Sequence, residues 1–425
     1  MHNCTLNTVT DTDSRRRAEA RAISELALVE IGGAVGGIRN VHRAVSDRVF
    51  KGIGLGLPGA TQPVKRVHDV VTDGIYNAVG ISARGAGQLA GQTVDIRLDG
   101  RKPLSETKRG AELMSIVAGL RGDVLEAEGS PLVTPMAVRV DGAEVPLEPD
   151  ALAAAFPQAK GRVVVFLHGL METETAWRLG GRQSYGELLV DDLDVTPVFV
   201  RFNSGRRISA NGRSLNVLME QLVAAWPVPV KEVALVGHSM GGLISRSAAF
   251  QADADGAYWV RRLHHLICLA SPHMGAPLEQ LVHFASAGLN VLPETRPFGK
   301  LLRRRSVGIR DLRQGSLVDD DWDGREVDAL SKAVLQDIPL HDGVMHCFVT
   351  AQVTKSPSHP LGKLIGDGLV MMPSGSGRSK ARVIGFREED GLHVSSANHL
   401  SLLNHPTVYE KLVEWLGTAP ISQSK

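Results

Sequence analysis

One serine of this sequence lies where an activated nucleophile is expected. Ser239 is the centre of VGHSMGG (236–242), which continues the apolar run KEVALVG (231–237) and leads into LISRSAAF, a segment with helical character. A serine between a strand and a helix must turn sharply, and glycine leaves room for that turn on both sides. We therefore predict that Gly237 and Gly241 allow Ser239 to hold its hydroxyl above a sheet as a nucleophile. An inert serine in a glycine-rich turn is the alternative interpretation.

Two backbone N–H groups are expected to bind the negative charge that develops when such a serine attacks a carbonyl. The helix that follows Ser239 begins at Met240, and its N-terminal N–H groups lie beside the developing charge. A second donor should follow an earlier strand, and HGL (168–170) comes directly after RVVVFL (162–167). The sequence therefore predicts an oxyanion hole formed by the N–H groups of Met240 and Leu170.

The general base is expected near the end of the chain. Three histidines, His393, His399 and His405, follow the last predicted strand, ARVIGF (381–386). His399 fits best, because PTVYEKLVEWL (406–416) is an amphipathic helix opened by a proline, and His405 stands directly before that proline. His393 is the main alternative to His399.

The carboxylate that orients the base is expected after the preceding strand, MHCFVTA (345–351). Asp367 in IGDGLVMMPSG (365–375) follows that strand, and the glycines on either side let its loop turn toward the histidine. Asp342, which precedes the strand, and Asp390, which follows the next one, are the alternatives.

These residues need a sheet to bring them together. MAVRVDGAEVPL (136–147) alternates apolar and polar residues around Asp-Gly, which is typical of a β-hairpin. Six apolar runs separated by helical stretches follow, and such runs are typical of parallel strands that are buried on both faces. They are 162–167, 196–202, 231–237, 263–270, 345–351 and 381–386. The expected fold is α/β, with an eight-stranded, mostly parallel sheet and helices on both faces.

The region before residue 130 has a different pattern. IRNVHRAVSDRVF (38–50) aligns without gaps on VKRVHDVVTDGIY (64–76), which indicates a duplicated helix, and a further helix is expected at 107–121. The twin histidines His42 and His68 are interpreted as structural residues of that repeat. The predicted parts of the chain are a polar, disordered N-terminus (1–20), a helical region (21–130), the α/β domain (134–417) with a cap insertion (278–340), and a tail (418–425).

Five motifs in order resemble those of α/β-hydrolases of the lipase and esterase type, and more narrowly those of bacterial lipases and the GPI inositol-deacylase-like group. They are HGL (168–170), GHSMGGL (237–243), ASPHMGAP (270–277), GDGLV (366–370) and NHLSLLNHPTVYEKLVEWL (398–416). The resemblance covers residues 134–417. It implies a Ser239–Asp367–His399 triad that acts through an acyl-enzyme, without a metal or organic cofactor. Because this fold orders its triad Ser, acid, His, it also implies that His168 is not the base.

The expected substrate is a small-molecule or lipid ester with a hydrophobic acyl group, since the cap insertion begins with the apolar LEQLVHFASAGLNVLP. An acyltransferase or thioesterase with the same triad is one alternative. A non-catalytic binding or scaffold protein on the same shell is another.

Composition narrows the possible partners. A net charge of +1 gives no reason to expect nucleic acid, and three cysteines without metal-ligand spacing imply neither a disulfide framework nor a zinc site. The N-terminus lacks the pattern of a secretory signal, and no uncharged apolar run reaches the roughly 18 residues of a membrane span. The expected location is cytoplasmic, with peripheral membrane contact through the N-terminal helices as a minor alternative. The sequence gives no indication of the oligomeric state of this protein.

Overall fold

The structure is a computed structural model, and it describes residues 12–23, 102–133, 135–276, 306–322, 335–356, 366–379 and 382–418. The duplicated helices predicted at 38–50 and 64–76, with His42 and His68, lie outside the described residues. So does most of the cap insertion, of which 306–322 and 335–340 are described.

The predicted sheet is confirmed. Its strands are β1 (Ala137–Val140), β2 (Ala143–Glu144), β3 (Arg162–Leu167), β4 (Thr196–Arg201), β5 (Glu232–His238), β6 (Leu263–Leu269), β7 (Met345–Gln352) and β8 (Gly391–Ser395). They are arranged in the order β2-β1-β4-β3-β5-β6-β7-β8. The β1–β2 hairpin is antiparallel and β1 also pairs antiparallel with β4, whereas all pairs from β4 to β8 are parallel. The carboxyl ends of the six parallel strands therefore share one edge.

The position predicted for the last strand, 381–386, is wrong. Residues 382–386 contain only an isolated bridge at Val383, and the eighth strand is β8, ten residues further on. Since β8 lies at the sheet edge and pairs with β7 alone, it has no need of a continuous apolar run, and GLHVS does not contain one. Its first residue requires glycine, because a Cβ at Gly391 would lie 2.3 Å from Cζ of Phe348.

Helices cover both faces of the sheet. They are α1 (12–23), α2 (Lys108–Ala127), α3 (Pro149–Ala155), α4 (Tyr185–Asp192), α5 (Ile208–Ala225), α6 (Met240–Asp255), α7 (Val307–Leu312), α8 (Met372–Gly375) and α9 (Pro406–Gly417). Apolar side chains of α5 and α6 form one core against the sheet, and those of α4 and α9 form a second core on its other face. Within the described ranges, no helix has both the length and the apolar character needed to cross a membrane.

The N-terminus corrects a second prediction. Residues 12–20 were expected to be disordered, but they belong to helix α1. The buried carboxylate of Glu19 accepts hydrogen bonds from the backbone N–H of Ser105 at 3.1 Å and from its hydroxyl at 2.6 Å. These hydrogen bonds join helix α1 to the segment that contains Ser105, 86 residues further along the chain. The polar composition of the N-terminus gives no indication of this contact.

Candidate active site

The nucleophile candidate lies at a sharp turn between β5 and α6. Ser239 has φ 51° and ψ −116°, a conformation that a residue with a side chain rarely adopts, and α6 begins at the next residue. Its glycine neighbours are sterically required. A Cβ at Gly237 would lie 2.3 Å from the nitrogen of Gly242, and one at Gly241 would lie 2.4 Å from the carbonyl oxygen of Leu167. The local geometry is that of a nucleophile elbow.

Asp367 and His399 are in direct contact. Nδ1 of His399 lies 2.8 Å from Oδ2 of Asp367, and both side chains are almost completely buried. The other carboxylate oxygen accepts the backbone N–H groups of Leu369 and Val370 at 2.9 and 2.7 Å. The backbone N–H of His399 also donates to the carbonyl of Asp367 at 3.0 Å. The loop after β7 therefore fixes both the orientation of the carboxylate and the position of the histidine.

Burial alone would lower the pKa of His399. The charge of Asp367, its hydrogen bond to the imidazole and the more distant Glu172 carboxylate outweigh that effect and raise the pKa above its ordinary value. A histidine in this environment accepts a proton readily and is stabilised once it is charged.

Ser239 and His399 belong to the same end of the sheet. The residue before the serine, His238, has its ring 4.8 Å from the ring of His399, measured between centroids. Among the described residues, the structure shows no hydrogen bond between Oγ of Ser239 and Nε2 of His399. The hydrogen bond between Asp367 and His399 is thus formed, and the residue before Ser239 contacts the histidine ring. Catalytic hydrogen bonds are often long in the absence of a substrate.

The two predicted oxyanion donors lie on adjacent segments. The main chain of β3 and His168 contacts Gly241, since a Cβ there would lie 2.6 Å from the carbonyl oxygen of His168. Within the described part of the chain, the N–H groups of Leu170 and Met240 donate no hydrogen bond to a protein acceptor.

The alternative bases have other roles in the structure. Nδ1 of His168 contacts the carbonyl of Gly169 at 2.8 Å, its Nε2 accepts the N–H of Phe202 at 3.2 Å, and burial lowers its pKa to about 4. His393 lies on β8 and contacts the hydroxyl of Thr350. His405 caps helix α9 through the N–H of Thr407.

The alternative acids do not contact His399 in the structure. Asp390 forms a two-point ion pair with Arg387, with hydrogen bonds of 2.7 and 3.0 Å. Asp342 is exposed and precedes β7, at the end of the strand opposite to the one that Asp367 follows.

Two arginines, Arg206 and Arg207, follow β4 at the sheet edge that carries the site. Arg206 forms an ion pair with Glu126, and Arg207 forms one with Asp311.

Two residues that the sequence analysis did not single out, Glu172 and His238, connect the HGL turn, the turn at Ser239 and the main chain of His399. Oε2 of Glu172 accepts the N–H of Gly169 at 2.7 Å and contacts Nδ1 of His238 at 3.1 Å. Nε2 of His238 contacts the carbonyl of His399 at 3.2 Å. The available signal was their position, since Glu172 closes the turn that begins with HGL and His238 directly precedes Ser239.

In the described ranges, no group of three or more His, Cys, Asp or Glu side chains is arranged to hold a metal ion.

Comparisons with known proteins agree with the fold. Residues 158–334 match the model of the family described as PGAP1-like alpha/beta domain. No curated protein sequence matches the chain. The α/β-hydrolase resemblance and fold class predicted from the motifs are confirmed.

Among solved structures, the chain is similar to the mature lipase BlEst2 of Bacillus licheniformis, with 17% identity over 59% of this chain and 91% of that one and a TM-score of 0.36. It is also similar to the RedJ thioesterase of Streptomyces coelicolor (20% identity, 61% and 91% coverage, TM-score 0.34). Another similar structure is the naproxen esterase of Bacillus subtilis (14% identity, 60% and 83% coverage, TM-score 0.33). These neighbours are ester- or thioester-cleaving hydrolases by name.

Proposed function

We propose that this protein is a serine hydrolase that cleaves carboxylic esters through Ser239, Asp367 and His399. The observation that carries the proposal is the buried hydrogen bond between Asp367 and His399 beside a serine held in a strained turn. Asp367 follows β7, His399 follows β8 and Ser239 follows β5, so all three belong to segments at the carboxyl edge of the sheet. An inert shell has no physical need for this arrangement.

The reaction begins when the hydroxyl of Ser239 attacks the ester carbonyl and gives its proton to Nε2 of His399. Asp367 keeps the imidazole oriented and stabilises its positive charge. The N–H groups of Met240 and Leu170 bind the oxyanion, and the loss of one such donor typically costs about 10²–10³ in rate. His399 then protonates the departing alcohol, which leaves an acyl group on Ser239. Water activated by the same histidine releases the acid.

A hydrophobic acyl group suits the immediate surroundings of the pair. Leu369, two residues after the acid, is 38% exposed, and Leu400, directly after the base, is 36% exposed. Apolar side chains left open beside a reactive centre favour a substrate that covers them.

The test is labelling of the purified protein with a fluorophosphonate probe. We expect the wild type to be labelled and both Ser239→Ala and His399→Ala to lose the label, whereas His393→Ala and His405→Ala should keep it. Hydrolysis of p-nitrophenyl esters of increasing chain length would then define the acyl preference, and acyl thioesters and alcohol acceptors would separate a thioesterase or acyltransferase. A folded wild type that is not labelled would contradict the proposal and favour a binding protein.

A further inference from the structure

A single carboxylate contacts the segments that carry both halves of the proposed machinery. Oε2 of Glu172 accepts the backbone N–H of Gly169 at 2.7 Å, one residue before the proposed donor Leu170. The same oxygen lies 3.1 Å from Nδ1 of His238, one residue before Ser239. The Glu172 side chain is only 14% exposed. Glu172 therefore contacts both the HGL turn and the turn that carries Ser239.

His238 extends this connection to the base. Its side chain is fully buried, and its Nε2 lies 3.2 Å from the carbonyl oxygen of His399. A carboxylate oxygen and a carbonyl oxygen can only accept hydrogen bonds, so any hydrogen bond in these two contacts is donated by the ring of His238. The ring of His238 thus lies between the carboxylate of Glu172 and the main chain of the base.

The environment of Glu172 fits this arrangement. Burial by itself would raise the pKa of this carboxyl. The charge of His238 and the hydrogen bonds from His238 and Gly169 outweigh burial and lower the pKa. Removing one partner of such a pair leaves the other charge buried without a counter-ion.

We propose that Glu172 is a positioning residue, which, through its contact with His238, holds the HGL turn and the main chain of His399 in place around Ser239. The inference rests on the proposed function. Glu172 contacts none of the reacting atoms and acts through Gly169, His238 and His399. Small displacements of such groups lower the rate of the chemical step more than they alter binding of the ester.

The variants that test this are Glu172→Gln, which keeps the size but removes the charge, His238→Gln, and the double variant. With p-nitrophenyl butyrate, and activity expressed per serine labelled by fluorophosphonate, we expect each single variant to lose about 10–100-fold in kcat with KM changed less than about threefold. Because both residues act as one pair, the double variant should lose about as much as either single variant. A merely structural role would reduce the labelled fraction and leave kcat per labelled serine unchanged.

Glu174→Gln is the matched control. Glu174 is also buried and lies two residues further along, but it forms a two-point pair with Arg201 and does not contact the site. It should lower stability and leave kcat per labelled serine unchanged. Wild-type kcat in folded Glu172→Gln would overturn the inference and leave the proposed function intact, whereas a wild type that is not labelled would overturn both. If Glu172→Gln does not fold, kcat per labelled serine of His238→Gln decides: a wild-type value overturns the inference, and a loss of about 10–100-fold supports it.

Discussion

The proposed chemistry depends on which nitrogen of His399 carries the proton. Nδ1 lies 2.8 Å from the carboxylate of Asp367, and a carboxylate only accepts hydrogen bonds. Nδ1 therefore carries the hydrogen in the neutral ring, and Nε2 keeps its lone pair. That is the tautomer a serine hydroxyl needs as its base. The main-chain bond between His399 and Asp367 holds the backbone of both residues in the same arrangement.

The raised pKa of His399 gives a prediction about pH. Only the neutral imidazole accepts the serine proton, so kcat/KM should rise with pH, with a midpoint above 6.5, the ordinary pKa of the side chain. Asp367→Asn removes the charge that raises this pKa. It should lower kcat/KM by about 10³–10⁴ and move the midpoint to lower pH. The measurement is a pH–rate profile with a p-nitrophenyl ester.

Asp390→Asn provides the comparison for that profile, because Asp390 pairs with Arg387 and does not contact His399. Its midpoint should equal that of the wild type. A profile of Asp367→Asn with the wild-type midpoint would show that Asp367 does not set the protonation of the base.

Among the elements, helix α2 has a role that its sequence did not indicate. The hydroxyl of Ser115 lies 2.8 Å from the carbonyl of Glu112 in its own helix and 2.9 Å from the carbonyl of Met171 in the HGL turn. A Cβ at Gly119 would lie 2.3 Å from Cγ of Met171. Met171 itself has φ 60°, an unfavourable value for a residue with a side chain. Packing of α2 thus helps to hold the turn that carries Leu170.

The strands and the site differ in how far the sequence predicts them. Strands β3 to β7 are buried on both faces, which produces the continuous apolar runs that located them. The sequence predicts Ser239, Asp367 and His399 as site residues because their order follows the strand order. The edge strand β8 contains no continuous apolar run, so the sequence does not locate it. The contacts of α2 and Glu172 were not predicted, since they join residues far apart in sequence or involve polar groups without a periodic pattern.

The contact between α2 and the loop after β4 can be tested with Gly205→Ala. A Cβ at Gly205 would lie 2.1 Å from the carbonyl oxygen of Ala118 and 2.6 Å from the nitrogen of Gly122, and neither main-chain atom can move away freely. We expect the free energy of unfolding to fall by about 1–3 kcal/mol, as for other overpacked sites. The measurement is urea denaturation. Val124→Ala on the exposed side of the same helix should change it by less than about 0.5 kcal/mol, and equal values for the two variants would contradict the packing described here.

At the scale of the whole molecule, the N-terminal helix α1 and the α/β domain are joined by buried polar side chains. Glu19 of α1 bonds Ser105, and the carbonyl of Ser105 accepts a hydrogen bond from Arg201 at the end of β4. Arg201 in turn pairs with Glu174, which lies on the segment after β3. This chain of bonds connects α1 to the sheet through residues that are all nearly buried. Loss of any member leaves a polar group without a partner away from water.

Glu19→Ala tests whether α1 contributes to the stability of this body. The substitution removes the acceptor for two buried donors of Ser105, so the free energy of unfolding should fall by about 1–3 kcal/mol. Arg17→Ala, on the exposed side of α1, should have almost no effect, and urea denaturation followed by tryptophan fluorescence compares the two. Because α1 makes no contact with Ser239, Asp367 or His399 among the described residues, fluorophosphonate labelling per folded molecule should be the same in both. Equal stability of the two variants would mean that α1 adds no stability to the α/β domain, whereas a selective loss in Glu19→Ala would make the first helix part of the cooperative unit that carries the site.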